Sequence, residues 1–323
     1  MKDVTVQDTT PYTILSGQGR SGSNRLLDVL DASRHTACRN EVKLIAASQF
    51  HSIGAALFAQ DLDEARRARL HAVIADAPYR RSQRDRLSQT DKAYLTGLGR
   101  AAQAAFEKKR LRKMLAGVGL LEGHGEWRIP RLMAAPDAIA RAHLVLKFNS
   151  CPAWTEALAL ADKHCRVVHN IREPRGFLKS WYNRFILSGI GAASFEKHFD
   201  DVPRILAHFG RDDAERLRAA SEENLVEVEL WRWRYINERL MALEAHPGQY
   251  MRVTYDEIQA DTVEVARKIF AFSELPFEQA EQDRAGALKN VLFQKPHTAQ
   301  IDAALCDRLV DKVLEDSPLK AMI

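Results

Sequence analysis

The sequence predicts an α/β protein, a three-layer fold in which helices flank a central parallel sheet and a helical insertion interrupts the series. Two observations predict it. Short apolar runs at Tyr12–Ser16, His143–Phe148, Arg166–Ile171 and Tyr250–Thr254 read as buried strands. Behind the first and third of these, Ser23–Leu30 and Gly176–Phe185 carry apolar residues at helical spacing, so strand, loop and helix recur as a parallel sheet requires.

Size and composition agree with that class. A chain of 323 residues and 36.5 kDa buries a sizeable core without staples. One domain over residues 1–323, with an insertion at about 61–125, is the simplest division. The balance of 46% hydrophobic to 28% charged residues excludes disordered and fibrous chains, and a net charge of +4 is too small for a nucleic-acid coat. Cys38, Cys151, Cys165 and Cys306 lack C-x-x-C spacing, so neither a zinc site nor a disulfide framework is expected. Met1–Thr10 lacks the basic end and apolar stretch of a signal peptide, and the charge-free run Leu44–Gln60 is too short and polar to span a bilayer. These features point to a cytoplasmic protein.

Between Asp61 and Lys113, Arg, Lys, Ala and Leu recur at helical periods, with basic clusters at Arg80–Arg86 and Lys108–Lys113. A solvated helix face is the plain reading of those charges. Gly97, Gly99, Gly117, Gly119, Gly123 and Gly125 mark a looser stretch that would form a mobile wall over a cleft. Further on, Glu222–Leu243 reads as an amphipathic helix whose Trp231, Trp233 and Tyr235 belong to the core.

The most informative segment is Ile14-Leu15-Ser16-Gly17-Gln18-Gly19-Arg20-Ser21-Gly22-Ser23-Asn24, a strand, a glycine-rich turn and a helix start. Such a turn aims backbone N–H groups and a helix N-terminus at one point, which suits a phosphate and makes the fold P-loop-like. Gly17 and Gly22 have the spacing of G-x-x-x-x-G-K-[ST], yet Ser23 and Asn24 occupy the Lys and Ser/Thr positions. The cation for the β/γ-phosphates and the magnesium hydroxyl are therefore both absent, and no metal is expected. A second anion motif follows the third strand: Arg172-Glu173-Pro174-Arg175, with Ser180 inside the next helix. Asp256-Glu257, after the last strand, are the sole Walker-B-like acids behind a strand.

Two phosphate motifs without a triphosphate lysine resemble the sulfotransferases that use 3′-phosphoadenosine 5′-phosphosulfate (PAPS). The family's 5′-phosphosulfate loop is similar to Gly17–Asn24, so the resemblance implies that Gly19, Arg20, Ser21, Gly22, Ser23 and Asn24 bind the donor. Its 3′-phosphate motif is similar to Arg172 through Ser180. The loop is closer to the G-x-x-R-S-G-[TS] form of tyrosylprotein, bacterial and carbohydrate sulfotransferases than to the lysine form of the hormone-type enzymes. In that branch a glutamate after the first helix acts as base, which implies Glu41; a lysine ending the next core strand implies Lys147. Phe293-Gln294-Lys295-Pro296 resembles the late basic segment that returns to the nucleotide, implying Lys295. The matches run from Tyr12 to about His297.

The resemblance implies in-line sulfuryl transfer to an acceptor hydroxyl, most readily on a carbohydrate or glycolipid, with tyrosine peptides and small alcohols or phenols behind. Glu41 would accept the hydroxyl proton, Arg20 and Lys147 would offset developing charge, Arg172 and Ser180 would hold the 3′-phosphate, and 3′-phosphoadenosine 5′-phosphate (PAP) would leave. Should Glu41 not serve, His35, His124 and Glu126 are the next bases. Two alternatives stay open: a P-loop kinase or NTPase with a degenerate loop, and a nucleotide-binding regulator without catalysis.

Overall fold

Apolar side chains on both faces of a strand leave neither side for water, the condition under which a parallel sheet is covered by helices on both faces. A computed structural model describes residues 11–41, 53–82, 91–106, 126–185, 199–219, 221–291 and 301–322. In it β1 (Tyr12–Gly17) turns into α1 (Ser23–Ala32) and β2 (Thr36–Arg39). An excursion of α2 (Glu64–Asp76), β3 (Arg80–Ser82), α3 (Gly97–Phe106), β4 (Glu126–Arg128) and α4 (Pro136–Ala140) precedes β5 (His143–Asn149). Next come α5 (Pro152–Ala161), β6 (Cys165–Ile171), α6 (Pro174–Phe185), α7 (Val202–His208), α8 (Ala214–Leu217) and α9 (Glu222–Met241). The described chain continues with β7 (Tyr250–Thr254), α10 (Tyr255–Ala260), α11 (Thr262–Phe272), α12 (Gln279–Val291) and α13 (Ala303–Val313).

The main sheet has the order β2-β5-β1-β6-β7, every neighbouring pair parallel. β1 is therefore central: the chain leaves it for β2 and β5 on one side, then crosses to β6 and β7 on the other. A crevice opens at the carboxyl ends where strand order reverses, and here that point is the turn after β1. Leu15, Val145, Val168 and Val253 face Leu26, Leu30, Ile258, Ile269 and Phe270 on one side of the sheet. On the other side Ile14, Leu146 and Val167 pack on Trp154 and Leu158 of α5. The strands expected from the apolar runs are all present, each within a residue of its expected ends.

Three features differ from the reading of the sequence alone. β2 was not anticipated, because it has four residues and one β-branched side chain; pairing with β5 and the Lys92 ammonium set it in place. Lys92, fully buried, donates to the Asp31 and Ser33 carbonyls and the Thr36 hydroxyl, at 2.7, 2.8 and 3.2 Å. Second, the excursion is not wholly helical, since β3 and β4 form a separate antiparallel pair. Its basic residues Arg80 and Arg128 both meet Asp76, as a salt-bridged surface requires. Third, Gly97 and Gly99 lie in α3 rather than in a loose wall; Gly117, Gly119, Gly123 and Gly125 lie outside the described residues.

Helix α9 starts where expected and ends two residues short of Leu243, which lies in a 3-10 turn, Ala242–Ala245. Ser221 caps it by accepting from the Asn224 amide, and Trp231, Trp233 and Tyr235 are buried. Arg234 is buried too, bonded to Glu238, Asp316 and the Val313 carbonyl, with the Phe209 ring 4.2 Å from its guanidinium carbon. All four cysteines are buried and free. Among the described residues no helix is long and apolar enough to cross a membrane.

Two histidines are sealed in the sheet. His169 is held between the Tyr250 hydroxyl and the Asn237 carboxamide at 2.7 and 2.9 Å, and His143 meets the Thr13 hydroxyl at 2.8 Å. Burial pushes both down to about 4. The unfolded chain binds these protons near pH 6.5, so stability is full above that pH and falls as pH drops from 6.5 towards 4, by about 1.4 kcal/mol per pH unit for each histidine. Urea unfolding of His169→Gln across pH 7 to 4.5 should show a shallower decline than the wild type; an identical slope would remove His169 from the acid sensitivity.

Candidate active site

The turn after β1 is shaped by what presses on it. Gly22 ends the turn at φ 95°, a left-handed conformation, and a Cβ there would lie 2.9 Å from the Tyr255 ring. Glycine thus lets α10 approach the loop while α1 starts at Ser23 with no side-chain cap. The first N–H groups of α1 remain directed into the turn, a ready anion site. Arg20 also takes a positive φ, 78°, a conformation that costs a non-glycine residue about 1 kcal/mol or more.

That conformation carries Arg20 to the second motif. Its Nε donates to the Ser180 hydroxyl on α6 at 3.0 Å, while Arg172 Nη1 donates to the Arg20 carbonyl at 3.4 Å. Two segments remote in sequence thereby share one rim. The Arg172 guanidinium lies over the Tyr255 ring, 4.1 Å from its centroid, and its backbone carbonyl accepts from Trp233 Nε1 at 3.2 Å. Burial pulls Arg172 below its ordinary value, against the pull of Tyr255, Glu173 and Asp256. Its neighbours in the motif work elsewhere. Arg175 turns away to Asp307 at 2.6 Å, and the Glu173 carboxylate accepts from the Arg175 and Gly176 amides, closing the start of α6. Glu257 closes a capping box with Thr254 at the start of α10, which gives that Walker-B-like acid a structural task.

On the other side of the turn stands Lys147 of β5, whose side chain is wholly buried. Its ammonium donates to Asn24 Oδ1, Glu41 Oε1 and Asn40 Oδ1 at 2.6, 2.8 and 3.1 Å. Asn149, two residues on and so on the same face of β5, donates to the same Glu41 oxygen at 3.1 Å and accepts from the Ser23 hydroxyl at 3.2 Å. Helix α1, the end of β2 and the end of β5 are thus tied through one ion pair. The ammonium is wholly buried and the carboxylate partly exposed, so it is the loss of Glu41 that would leave a buried charge short of its counter-ion.

Gln18 anchors the turn from a third direction. Its amide donates to Glu229 Oε1 of α9 at 2.7 Å, and its carbonyl accepts from Ser150 at 2.6 Å. Glu229, Trp233 and Asn237 recur every four residues, so one face of α9 meets Gln18, the Arg172 carbonyl and His169 in turn.

The residues expected from the sequence therefore fall into two groups around the turn. Arg20, Arg172 and Ser180 form one, and Ser23, Asn24, Glu41 and Lys147 the other; Gly19, Ser21 and Gly22 lie between them. Lys295 lies outside the described residues, as does His124. His35 precedes β2, at the opposite end of that strand from Glu41, and Glu126 belongs to the β3–β4 pair. Sequence reasoning missed Gln18, Asn149, Tyr255 and Glu229. Asn149 was within reach through its two-residue offset from Lys147, whereas a buried Glu229 inside a run of charges carries no local signal.

The chain matches the family described as "Sulfotransferase domain" over residues 11–303. No curated protein sequence matches it. Solved structures similar to it include sulfotransferase STF9 from Mycobacterium avium, at 15% identity and TM-score 0.44, covering 97% of this chain and 78% of that one. A sulfotransferase from Alicyclobacillus acidocaldarius is similar at 15% identity and TM-score 0.44, covering 97% and 95%. The sulfotransferase domain from the curacin biosynthetic pathway is similar at 13% and 0.42, covering 94% and 97%. With the family match spanning the sheet, the turn after β1 and both groups of side chains around it, the chain belongs to the sulfotransferase family.

Proposed function

We propose that the protein transfers a sulfuryl group from PAPS to a hydroxyl of a carbohydrate or glycolipid acceptor, with Glu41 as the general base. The observation that carries this reading is the Arg20–Ser180 hydrogen bond, which draws a 5′-phosphate turn and a 3′-phosphate arm to one rim. The donor set suits such a ligand. α1 begins without a side-chain cap, and the buried Ser21 hydroxyl has no partner among the described residues. When bound, PAPS supplies an activated sulfuryl group and a phosphate leaving group.

The chain's own residues then divide the work. The amides of Gly19 to Asn24 and the Arg20 guanidinium bind the 5′ end, while Arg172 and Ser180 hold the 3′-phosphate through charge-assisted hydrogen bonds. Arg172 is oriented for this by the Tyr255 ring beneath it and by Trp233 at its carbonyl. Lys147 orients Glu41, so that its carboxylate accepts the acceptor's proton at the moment oxygen attacks. The same ammonium lies at the start of α1, where it offsets charge on the transferred group. Positioning and electrostatics suffice because charge is spread over peripheral oxygens.

Calorimetric titration with PAP, with Mg·ATP as the comparison, tests the nucleotide class. Micromolar PAP binding is expected, and Arg172→Ala/Ser180→Ala should weaken it at least about tenfold while leaving adenosine 5′-monophosphate unaffected. Preference for Mg·ATP would replace the reading with a kinase or NTPase.

Glu41→Gln should keep PAP binding within about twofold of wild type and lower sulfated-product formation from labelled PAPS by about 10²–10⁴-fold over a panel of glycan, glycolipid and phenolic acceptors. Turnover equal to wild type would exclude Glu41 as base, and PAP binding without transfer to any acceptor would make the protein a regulator.

A further inference from the structure

Beneath the turn after β1 lies a polar side chain that the reading above does not use. Asn170, the penultimate residue of β6, is 0% exposed, yet neither its Oδ1 nor its Nδ2 has a hydrogen-bond partner among the described residues. Its neighbours in the sheet are apolar: it pairs with Val253 of β7 and stands two residues beyond Val168. Val168 and Val253 both belong to the core under α1, so Asn170 projects from that same face, towards the turn and the start of α1.

The backbone above it is unusually close. A Cβ on Gly17 would lie 2.2 Å from the Asn170 carbonyl oxygen and 3.6 Å from the Ser21 hydroxyl. Ser21, 2% exposed, is the second buried polar group here without a partner among the described residues. Two residues with unpartnered polar side chains therefore stand on either side of Gly17, beside the start of a helix that has no side-chain cap. In a core strand an apolar residue of similar shape satisfies packing without leaving donors and acceptors unmet, so a lone carboxamide is retained where another task requires it.

We propose that Asn170 is a positioning residue for the 5′-phosphate of the nucleotide: its carboxamide takes the Ser21 hydroxyl as partner when the anion is seated, fixing the height and direction of the loop amides over the sheet. Asn170 acts through Ser21 and touches no reacting atom. This inference rests on the nucleotide reading above and adds to it a residue that lies in no phosphate motif of the sequence.

The test uses the full chain, with Asn170→Leu, Asn170→Ala, Ser21→Ala and the Asn170→Leu/Ser21→Ala pair. Each is titrated with PAP, adenosine 5′-monophosphate and adenosine 3′-monophosphate, and its unfolding temperature is measured without nucleotide. Both Asn170 variants should weaken PAP and adenosine 5′-monophosphate about tenfold and leave adenosine 3′-monophosphate within about twofold. Asn170→Leu should unfold at or above the wild-type temperature, because it removes unmet polar groups from the core. The paired variant should bind no more weakly than Ser21→Ala alone. Unchanged PAP affinity in both Asn170 variants, equal loss for all three ligands, or additive losses in the pair would overturn the proposal while leaving the nucleotide reading standing. A wild type that does not bind PAP overturns the nucleotide reading and this inference with it.

Discussion

A single ammonium inside an apolar sheet sets the terms for the site. Lys147 lies between Leu146 and Phe148 on a strand buried on both faces, where an unpaired charge could not persist. Its requirement for oxygen partners is met only if α1, the end of β2 and β5 come together, through Asn24, Asn40 and Glu41. This side of the crevice is thus assembled by the same contacts that keep the strand foldable. Glu41 itself takes a positive φ, 48°, two residues after β2, which fits a residue held in place by its partners rather than by local preference.

Helix α9 performs the corresponding service on the Arg172 side. It is buried around most of its circumference, and its polar residues are spaced to reach the sheet at successive turns. Glu229 holds Gln18, Trp233 holds the backbone of Arg172, and Asn237 holds His169 in the strand between them. Side chains that would be solvated on a surface helix act here as fixed struts, which limits the rotamers open to each.

What could be read in advance follows the range over which information is local. The turn Gly17–Asn24 and the Arg172 motif are contiguous, so their residue types, order and flanking strands expose their chemistry without a structure. Glu41 and Lys147 came through resemblance alone, and their contact joins neighbouring strands from positions 106 residues apart in the chain. β2 was illegible because four residues carry too little pattern, and its partner strand lies far along the chain. Roles inside the second motif were equally hidden: Arg172 and Arg175 look alike in sequence, yet one faces the crevice and the other pairs with Asp307 of α13. The buried carboxylate of Glu229 had the opposite difficulty, since its charge pointed to solvent until the helix around it was packed.

Sheet order also bears on how such a chain could change. β2 and β5 are hydrogen-bonded neighbours at the edge of the sheet, so the whole stretch from residue 53 to 142 departs and returns between adjacent strands. Its length is decoupled from the register of β1 and β6, the strands that bear the glycine-rich turn and the Arg172 arm. The excursion is tied back along its length: Lys92 under the end of α1, Arg39 against the Ala77 and Pro78 carbonyls, the Gly54 carbonyl on Trp154, Asp61 on Arg204, and Ile53, Leu70 and Ile74 in the core around α5. A replacement segment that preserves those seats leaves the register of β1 and β6 untouched, which makes this edge a natural graft site for recombining one sheet with many different excursions.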